Sequence, residues 1–265
     1  MADSAGSHRE TLSTKTMPAN VDRETIDRLG EELEKKPAAD VLTWALDRFG
    51  DRLVICTSFG LEGIVILDLV HSLGRKVQVR TLDTGRLPSA TYELIQRCEE
   101  HFGIAVESFS PEPDRLRTMV REHGINLFYK SLGLRQLCCR VRKVEPLERA
   151  LFGKDAWISG LRRDQSTSRN KVRKVGIDEV HPGRVKICPL ADWTADQVWM
   201  RIRDKALPYN RLHDAGFSSI GCEPCTRPQT IEGDERSGRW WWETDSVKEC
   251  GIHTDSNFET ASKLI

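Results

Sequence analysis

The sequence predicts an α/β fold: a Rossmann-like, mostly parallel sheet with helices on both faces. Short Val- and Ile-rich runs recur along the chain, and each gives way to a stretch of helical periodicity. Strands that alternate with helices imply parallel strands covered on both sides. Past about residue 208 this periodicity fades into a stretch rich in Gly, Pro, Cys and Trp, which reads as an irregular segment laid over the sheet edge.

The elements follow in order. Residues 21–36 and 37–50 hold two helical patterns, each ending on basic or turn residues. Residues 52–58 (RLVICTS) form a first buried strand, and 61–74 an apolar helix closed by Gly74. Residues 76–83 make a second strand, and 87–103 a second βα helix with Pro88 near its first turn. A third strand (104–111) and a helical middle (about 113–151) lead to a fourth strand at 156–161 and a fifth at 185–190. Residues 191–207 then read as a helix capped by Asp192 or Thr194.

This divides the chain into a solvated, disordered tail (1–20), an α/β domain (21–210) and a C-terminal segment (211–265). Ligands of such sheets sit at the carboxyl ends of the strands. Site residues are therefore expected on loops leaving strands, or on the segment folded over that edge.

Lys and Arg number 40 and so do Asp and Glu, for a formal charge of +0, which argues against a nucleic-acid partner. No apolar run approaches the roughly 20 residues a membrane span needs. The N-terminus lacks the apolar core of a secretory signal, so a cytoplasmic protein is expected. Between Arg135 and Lys186, basic residues outnumber acids. That suits either a small bound anion or a solvated basic face.

Two loops point to a nucleotide. Ser58-Phe59-Gly60 follows the first strand and precedes a helix, offering free N–H groups and the positive end of its dipole. Leu82-Asp83-Thr84-Gly85 follows the second strand. Neither carries the GxxxxGK[ST] signature of a Mg-nucleotide loop, and ordinary turn chemistry explains each equally well.

Eight cysteines occur, and without a secretory signal disulfides explain them poorly. Cys56, Cys98 and Cys188 read as small buried hydrophobes. Cys138-Cys139 and Cys222-X-X-Cys225 make two close pairs, a metal-site pattern. Zinc and an iron–sulfur cluster both accept four thiolates. Adjacent side chains on a helix diverge by about 100°, which favours a [4Fe–4S] cluster whose different irons could take Cys138 and Cys139.

The run 138–147 (CCRVRKVEPL), Gly221-Cys222-Glu223-Pro224-Cys225 and Glu249-Cys250-Gly251-Ile252-His253 resemble the cluster-containing assimilatory adenylylsulfate reductases. The resemblance extends through both loops above, 160–166 (GLRRDQS) and 233–240 (GDERSGRW), and covers nearly everything after about residue 40. It implies an adenine nucleotide alpha hydrolase-like fold and reduction of adenosine 5′-phosphosulfate to sulfite and AMP. Cys250 would be the nucleophile and pass through an S-sulfocysteine, released by thioredoxin or a glutaredoxin-like reductant.

Cys138, Cys139, Cys222 and Cys225 would hold the cluster. Lys143 would reach both cluster and substrate, and Arg169, Arg236 and Arg239 would grip the phosphosulfate. Ser58, Phe59, Gly60, Leu82, Gly85 and Gly160 would hold the nucleotide, largely through backbone groups. His253 gains no firm role, and Trp240, Trp241 and Trp242 read as packing residues.

Reductases of the 3′-phosphorylated nucleotide share the last motif but generally lack both cysteine pairs, so the pairs favour the simpler nucleotide. Some cluster-bearing members accept both. A redox-sensing module with a structural metal remains a non-enzyme alternative. An ATP pyrophosphatase is disfavoured because residues 58–63 (SFGLEG) replace its Ser-Gly-Gly-x-Asp-Ser loop. Few residues follow Cys250, so the reductant is expected to be a separate protein. A homo-oligomer is left open.

Overall fold

The computed structural model describes residues 22–229, 234–243, 249 and 251–253. The tail expected at 1–20 and the proposed nucleophile Cys250 lie outside them. Two helices open the described chain, α1 (Arg23–Glu34) and α2 (Ala38–Phe49). Asp22 caps α1 by accepting from Thr25 N at 3.1 Å.

Strands and helices then alternate as β1 (Leu53–Cys56), α3 (Leu61–Ser72), β2 (Gln78–Leu82), α4 (Ser89–Phe102) and β3 (Val106–Phe109). The helical middle resolves into α5 (Pro113–His123), α6 (Leu132–Cys139) and α7 (Glu145–Ala150). Next come β4 (Ala156–Ile158), β5 (Val175–Ile177), β6 (Val185–Ile187) and α8 (Ala195–Asp204). Of the two caps considered for α8, Thr194 is the one used, in a reciprocal box with Gln197.

The strand order is β3-β2-β1-β4-β6-β5. Every neighbouring pair is parallel except β5 with β6. The sequence reading missed β5, a three-residue edge strand too short to show a period. Side chains alternate across the sheet as a doubly covered strand requires. Leu53 and Ile55 of β1, with Ala156 and Ile158 of β4, enter the main core with α2, α3 and α8. Val54 and Trp157 face the opposite side, where Leu147, Ala150 and Leu151 cover them. Among the described residues no helix is long and apolar enough to cross a membrane.

The chain leaves β1 toward β2 and β3, then returns to add β4 and β6 on the other flank. The crevice beyond the carboxyl ends of β1 and β4 is therefore the switch point of the sheet, where such folds bind ligands.

The β5 edge is covered by α1, whose Gly30 backs onto the Val175 backbone. A Cβ built there would lie 2.7 Å from the Val175 carbonyl oxygen. Gly30→Ala should accordingly reverse the usual helix preference. Instead of the roughly 1 kcal/mol gain expected at a free helical site, we expect a loss of about 1–3 kcal/mol. A lower urea midpoint at unchanged slope would show it, and a higher midpoint would mean the helix can move off the strand.

Candidate active site

The carboxyl ends of β1, β2 and β4 open into a cavity of about 520 Å³. The loop after β1 makes one wall. Thr57 Oγ1 accepts from Phe59 N at 2.9 Å, and Phe59 takes a positive φ of 56°. That turn sends the Phe59 side chain into the main core while Ser58 and Gly60 face the cavity. The Phe59 side chain thus anchors the loop from behind, which leaves only its backbone to serve the expected contact. The segment after β4 comes close to this loop, since a Cβ on Gly160 would lie 2.8 Å from Glu62 Cβ.

Leu82 lines the cavity, whereas Gly85 does not. At φ 65° the chain turns away, and a Cβ there would lie 3.5 Å from Arg142 Nη1. Arg142 Nη1 donates to the Thr84 carbonyl at 2.6 Å, and Glu223 N donates to the Arg86 carbonyl at 2.8 Å. The loop after β2 therefore braces the second cysteine pair.

Lys143, Arg169, Arg236 and Arg239 all line the cavity. Arg239 donates from Nη1 to Ser219 Oγ at 3.2 Å, and its buried Nε meets no hydrogen-bond partner among the described residues. Arg169 forks onto Glu249, with Nε to Oε1 at 2.8 Å and Nη2 to Oε2 at 2.9 Å. Arg236 Nη2 reaches the same Oε2 at 3.2 Å. Burial pushes the Glu249 carboxyl upward, but Arg236 and Arg169 outweigh it and hold it below its ordinary value.

The expected cationic surface at 135–186 is largely paired rather than open. Arg162 binds Glu62 at 2.8 Å and Glu235 at 2.9 Å, Arg163 binds Glu34, Arg173 binds Asp27, and Lys174 binds Asp192. These partners come from distant parts of the chain, so no local reading of charge could reveal them.

A second, smaller cavity lies beside the first, lined by Cys138, Cys139, Cys222 and Cys225 together with Arg142, Lys143 and Trp240. All four cysteines are buried in one cluster with Phe128, Val141 and Trp240. Backbone winding changes at the first pair: α6 ends at Cys139 and the chain runs on as a π-helical turn, Arg140–Val144. Such turns are rare and often mark functional sites. Lys143 sits on this turn and lines both cavities.

Burial raises the Cys138 and Cys225 thiols to about 12. Cys222 is lowered instead, because Lys143, the Thr84 hydroxyl at 3.3 Å, Arg239 and Arg142 overcome its burial. Among the described residues no three His, Cys, Asp or Glu are grouped as one metal ion requires. Two buried donors beside this cavity, Arg142 Nε and Trp240 Nε1, lack partners among the described residues. Four thiols around a shared space, with spare N–H donors, fit a group that spreads its ligands better than one ion within about 2.3 Å of every sulfur. Cys98 and Cys188 are buried and Cys56 is half-buried on the cavity wall, and burial raises all three thiols.

Ile252 and His253 close the cavity from the C-terminal side. His253 stacks on Trp157 at 5.9 Å with 9° between the planes, and its Nδ1 accepts from Lys186 Nζ at 3.2 Å. Burial, then the Lys186 charge, hold its pKa well below 6.5, so the ring is neutral at neutral pH. Trp157 Nε1 donates to Asp178 Oδ2 at 2.6 Å, which also meets His181 Nδ1 at 2.9 Å. No motif singles out Asp178 or His181, and Lys186 stands out in the sequence only as the end of the basic stretch. Of the three tryptophans expected to pack, Trp240 is buried, Trp242 half-buried against Phe128 and Tyr129, and Trp241 exposed.

Residues 52–228 match the phosphoadenosine phosphosulfate reductase domain. An adenosine 5′-phosphosulfate reductase of Allochromatium vinosum is 43% identical over 243 residues, 92% of this chain and 89% of that one. One of Pseudomonas aeruginosa is 46% identical over 233 residues, 86% of each chain. The crystal structure of a phosphoadenylyl-sulfate reductase from Candida auris, in complex with phosphate, superposes with a TM-score of 0.67 at 30% identity. It covers 78% of this chain and 98% of its own.

The Trp157 seat has a pH signature. Burial raises Asp178, but the His181 hydrogen bond, the Lys186 charge and the Trp157 donor bring it down from 3.8 to about 2. A depressed carboxylate stabilises the fold above its unfolded value, and that stability is lost as pH falls from 3.8 toward 2. The lost part amounts to about 2 kcal/mol. Asp178→Asn should therefore destabilise the protein near neutrality but lose less stability on acidification, as urea unfolding at pH 6 and pH 2.5 would show. Parallel losses in wild type and variant would refute the assignment.

Proposed function

Because the chain belongs to the phosphoadenosine phosphosulfate reductase domain family, we propose that it reduces adenosine 5′-phosphosulfate to sulfite and AMP in sulfate assimilation. One observation carries the reading: the residues flanking Cys250 are seated on the cationic wall of the switch-point cavity. Glu249 meets Arg169 and Arg236, and Ile252 and His253 line the same space.

In this reading Ser58, Gly60, Leu82 and Gly160 hold the nucleotide. Phe59 contributes through its backbone, and Gly85 by shaping its loop. Arg169, Arg236, Arg239 and Lys143 take the phosphosulfate oxygens, which disperses the charge that would repel an incoming thiolate. The Cys250 thiolate attacks the sulfate sulfur. An S–S bond forms, the bond from that sulfur to the bridging phosphate oxygen breaks, and AMP leaves as an anion.

A thiolate of a dithiol reductant, thioredoxin or a glutaredoxin-like protein, then attacks Cys250 Sγ. Sulfite departs with the electron pair of the S–S bond, and the resulting mixed disulfide is resolved by the reductant's second thiol. The two electrons that reduce the sulfur come from that dithiol. Residues 211–265 thus act as the active-site segment of a nucleotide-binding unit at 21–210, in a cytoplasmic protein.

Cys138, Cys139, Cys222 and Cys225 would hold a [4Fe–4S] cluster. When bound, it would fix the π-helical turn that carries Lys143 and set the local field there. Lys143 presents its charge to the substrate from the wall shared by the two cavities.

Intact mass after mixing anaerobic protein with adenosine 5′-phosphosulfate, without reductant, should rise by one SO₃ group on Cys250, and Cys250→Ala should abolish it. Lys143→Ala should slow adduct formation by about ten- to a hundredfold at unchanged iron content. An adduct from the 3′-phosphorylated nucleotide alone would move the chain to that substrate. No adduct from either would end the enzyme reading.

A further inference from the structure

A carboxylate stands among the cations of the anion-binding wall, and the mechanism above gives it no task. Glu249 is 3% exposed. Its two oxygens take the Arg169 fork and Arg236 Nη2, and Ser168 Oγ lies 3.4 Å from Oε1. Its main-chain carbonyl accepts from Arg135 Nη1 at 2.7 Å.

Arg135 belongs to a different structure. It lies on α6 one turn before Cys138 and Cys139 and against the Cys139 thiol. It also binds Glu243 at 2.9 and 3.1 Å and sits 4.7 Å over the Trp240 ring. One residue is therefore gripped on its side chain by the cavity's arginines and on its backbone by the helix of the first cysteine pair. Cys250 is the next residue in the chain.

Such a carboxylate could be a stand-in anion that the substrate displaces, or a tie that keeps its segment beside the substrate. Two features favour the tie. Arg239 and Lys143 line the same cavity, so a phosphosulfate dianion meets further cations while Glu249 keeps its own. The Arg135 bond also holds the main chain in place whatever the side chain does, and a displaced carboxylate would stay buried without a partner, which is costly.

We propose that Glu249 is a positioning residue: it seats the segment bearing Cys250 by joining the phosphosulfate-binding arginines, through Arg135, to the helix of the first cysteine pair. The proposal rests on the reductase reading above. It makes the seating of that segment depend on α6, and so on whatever the four cysteines hold.

The test compares iron-containing wild type, Glu249→Gln, Glu249→Ala and Arg135→Lys by amide hydrogen exchange of the peptide 249–253, adduct formation on Cys250 and AMP affinity. Glu249→Ala should speed exchange at Gly251–His253 and slow adduct formation, each roughly tenfold or more, with AMP affinity changed by less than about threefold. Glu249→Gln should fall between, because its amide oxygen still accepts from a guanidinium but carries no charge. Arg135→Lys should speed the same exchange, since a lysine cannot bridge the carbonyl and Glu243 as the fork does.

Unchanged exchange in Glu249→Ala or in Arg135→Lys overturns the proposal. Faster adduct formation with tighter AMP binding also overturns it, making Glu249 a competitor for the arginines. Failure of wild type to form any adduct would sink the reductase reading while leaving the exchange comparison intact.

Discussion

A buried guanidinium keeps its charge, and at the carboxyl edge of this sheet most enclosed arginines are matched by carboxylates, whereas Arg142 and Arg239 meet a carbonyl and a hydroxyl. Arg135, Arg162 and Arg169 are all enclosed, and their partners come from far away in the chain: Glu243, Glu62 with Glu235, and Glu249. This matching ties the irregular C-terminal segment to the α/β unit. Without Glu249, Arg169 and Arg236 of the cavity wall would lose the carboxylate they share, and without Glu235 Arg162 would lose one of the two buried-side carboxylates that flank it. The cover and the wall are therefore one electrostatic structure, although they lie far apart in sequence.

The two cavities depend on each other for a different reason. A regular α-helix through residues 132–150 would turn Cys138 and Cys139 by about 100° relative to each other and place Lys143 by the same period. The π-helical turn at Arg140–Val144 breaks that period directly after the pair. Lys143 ends up on the wall that both cavities share. Cys222 feels this charge, since Lys143 is the foremost influence lowering its thiol against burial.

Much of the fold was legible because a parallel sheet buried on both faces writes itself as Val- and Ile-rich runs. Those runs fell on β1, β2, β3, β4 and β6. β5 was missed because three residues, one of them Gly176, carry no period. The cysteine pairs and the loop after β1 were legible as local patterns. The inward turn of Phe59 was not, since it follows from a positive φ that only the packed core reveals. Nor was the neighbour of Gly85 legible, since Arg142 comes from the distant π-helical turn.

By itself the sequence determined the order of the strands and helices apart from β5, the two cysteine pairs and the motif around Cys250, because each depends on residues close together in the chain. Only the tertiary structure decided which charges are spent on one another. Arg162 and Arg169 read alike as cations of one basic stretch. Yet Arg162 is locked between Glu62 and Glu235, while Arg169 shares Glu249 with Arg236. Pairing at hydrogen-bond distance is set by how the chain folds back on itself, and sequence separation carries no record of that.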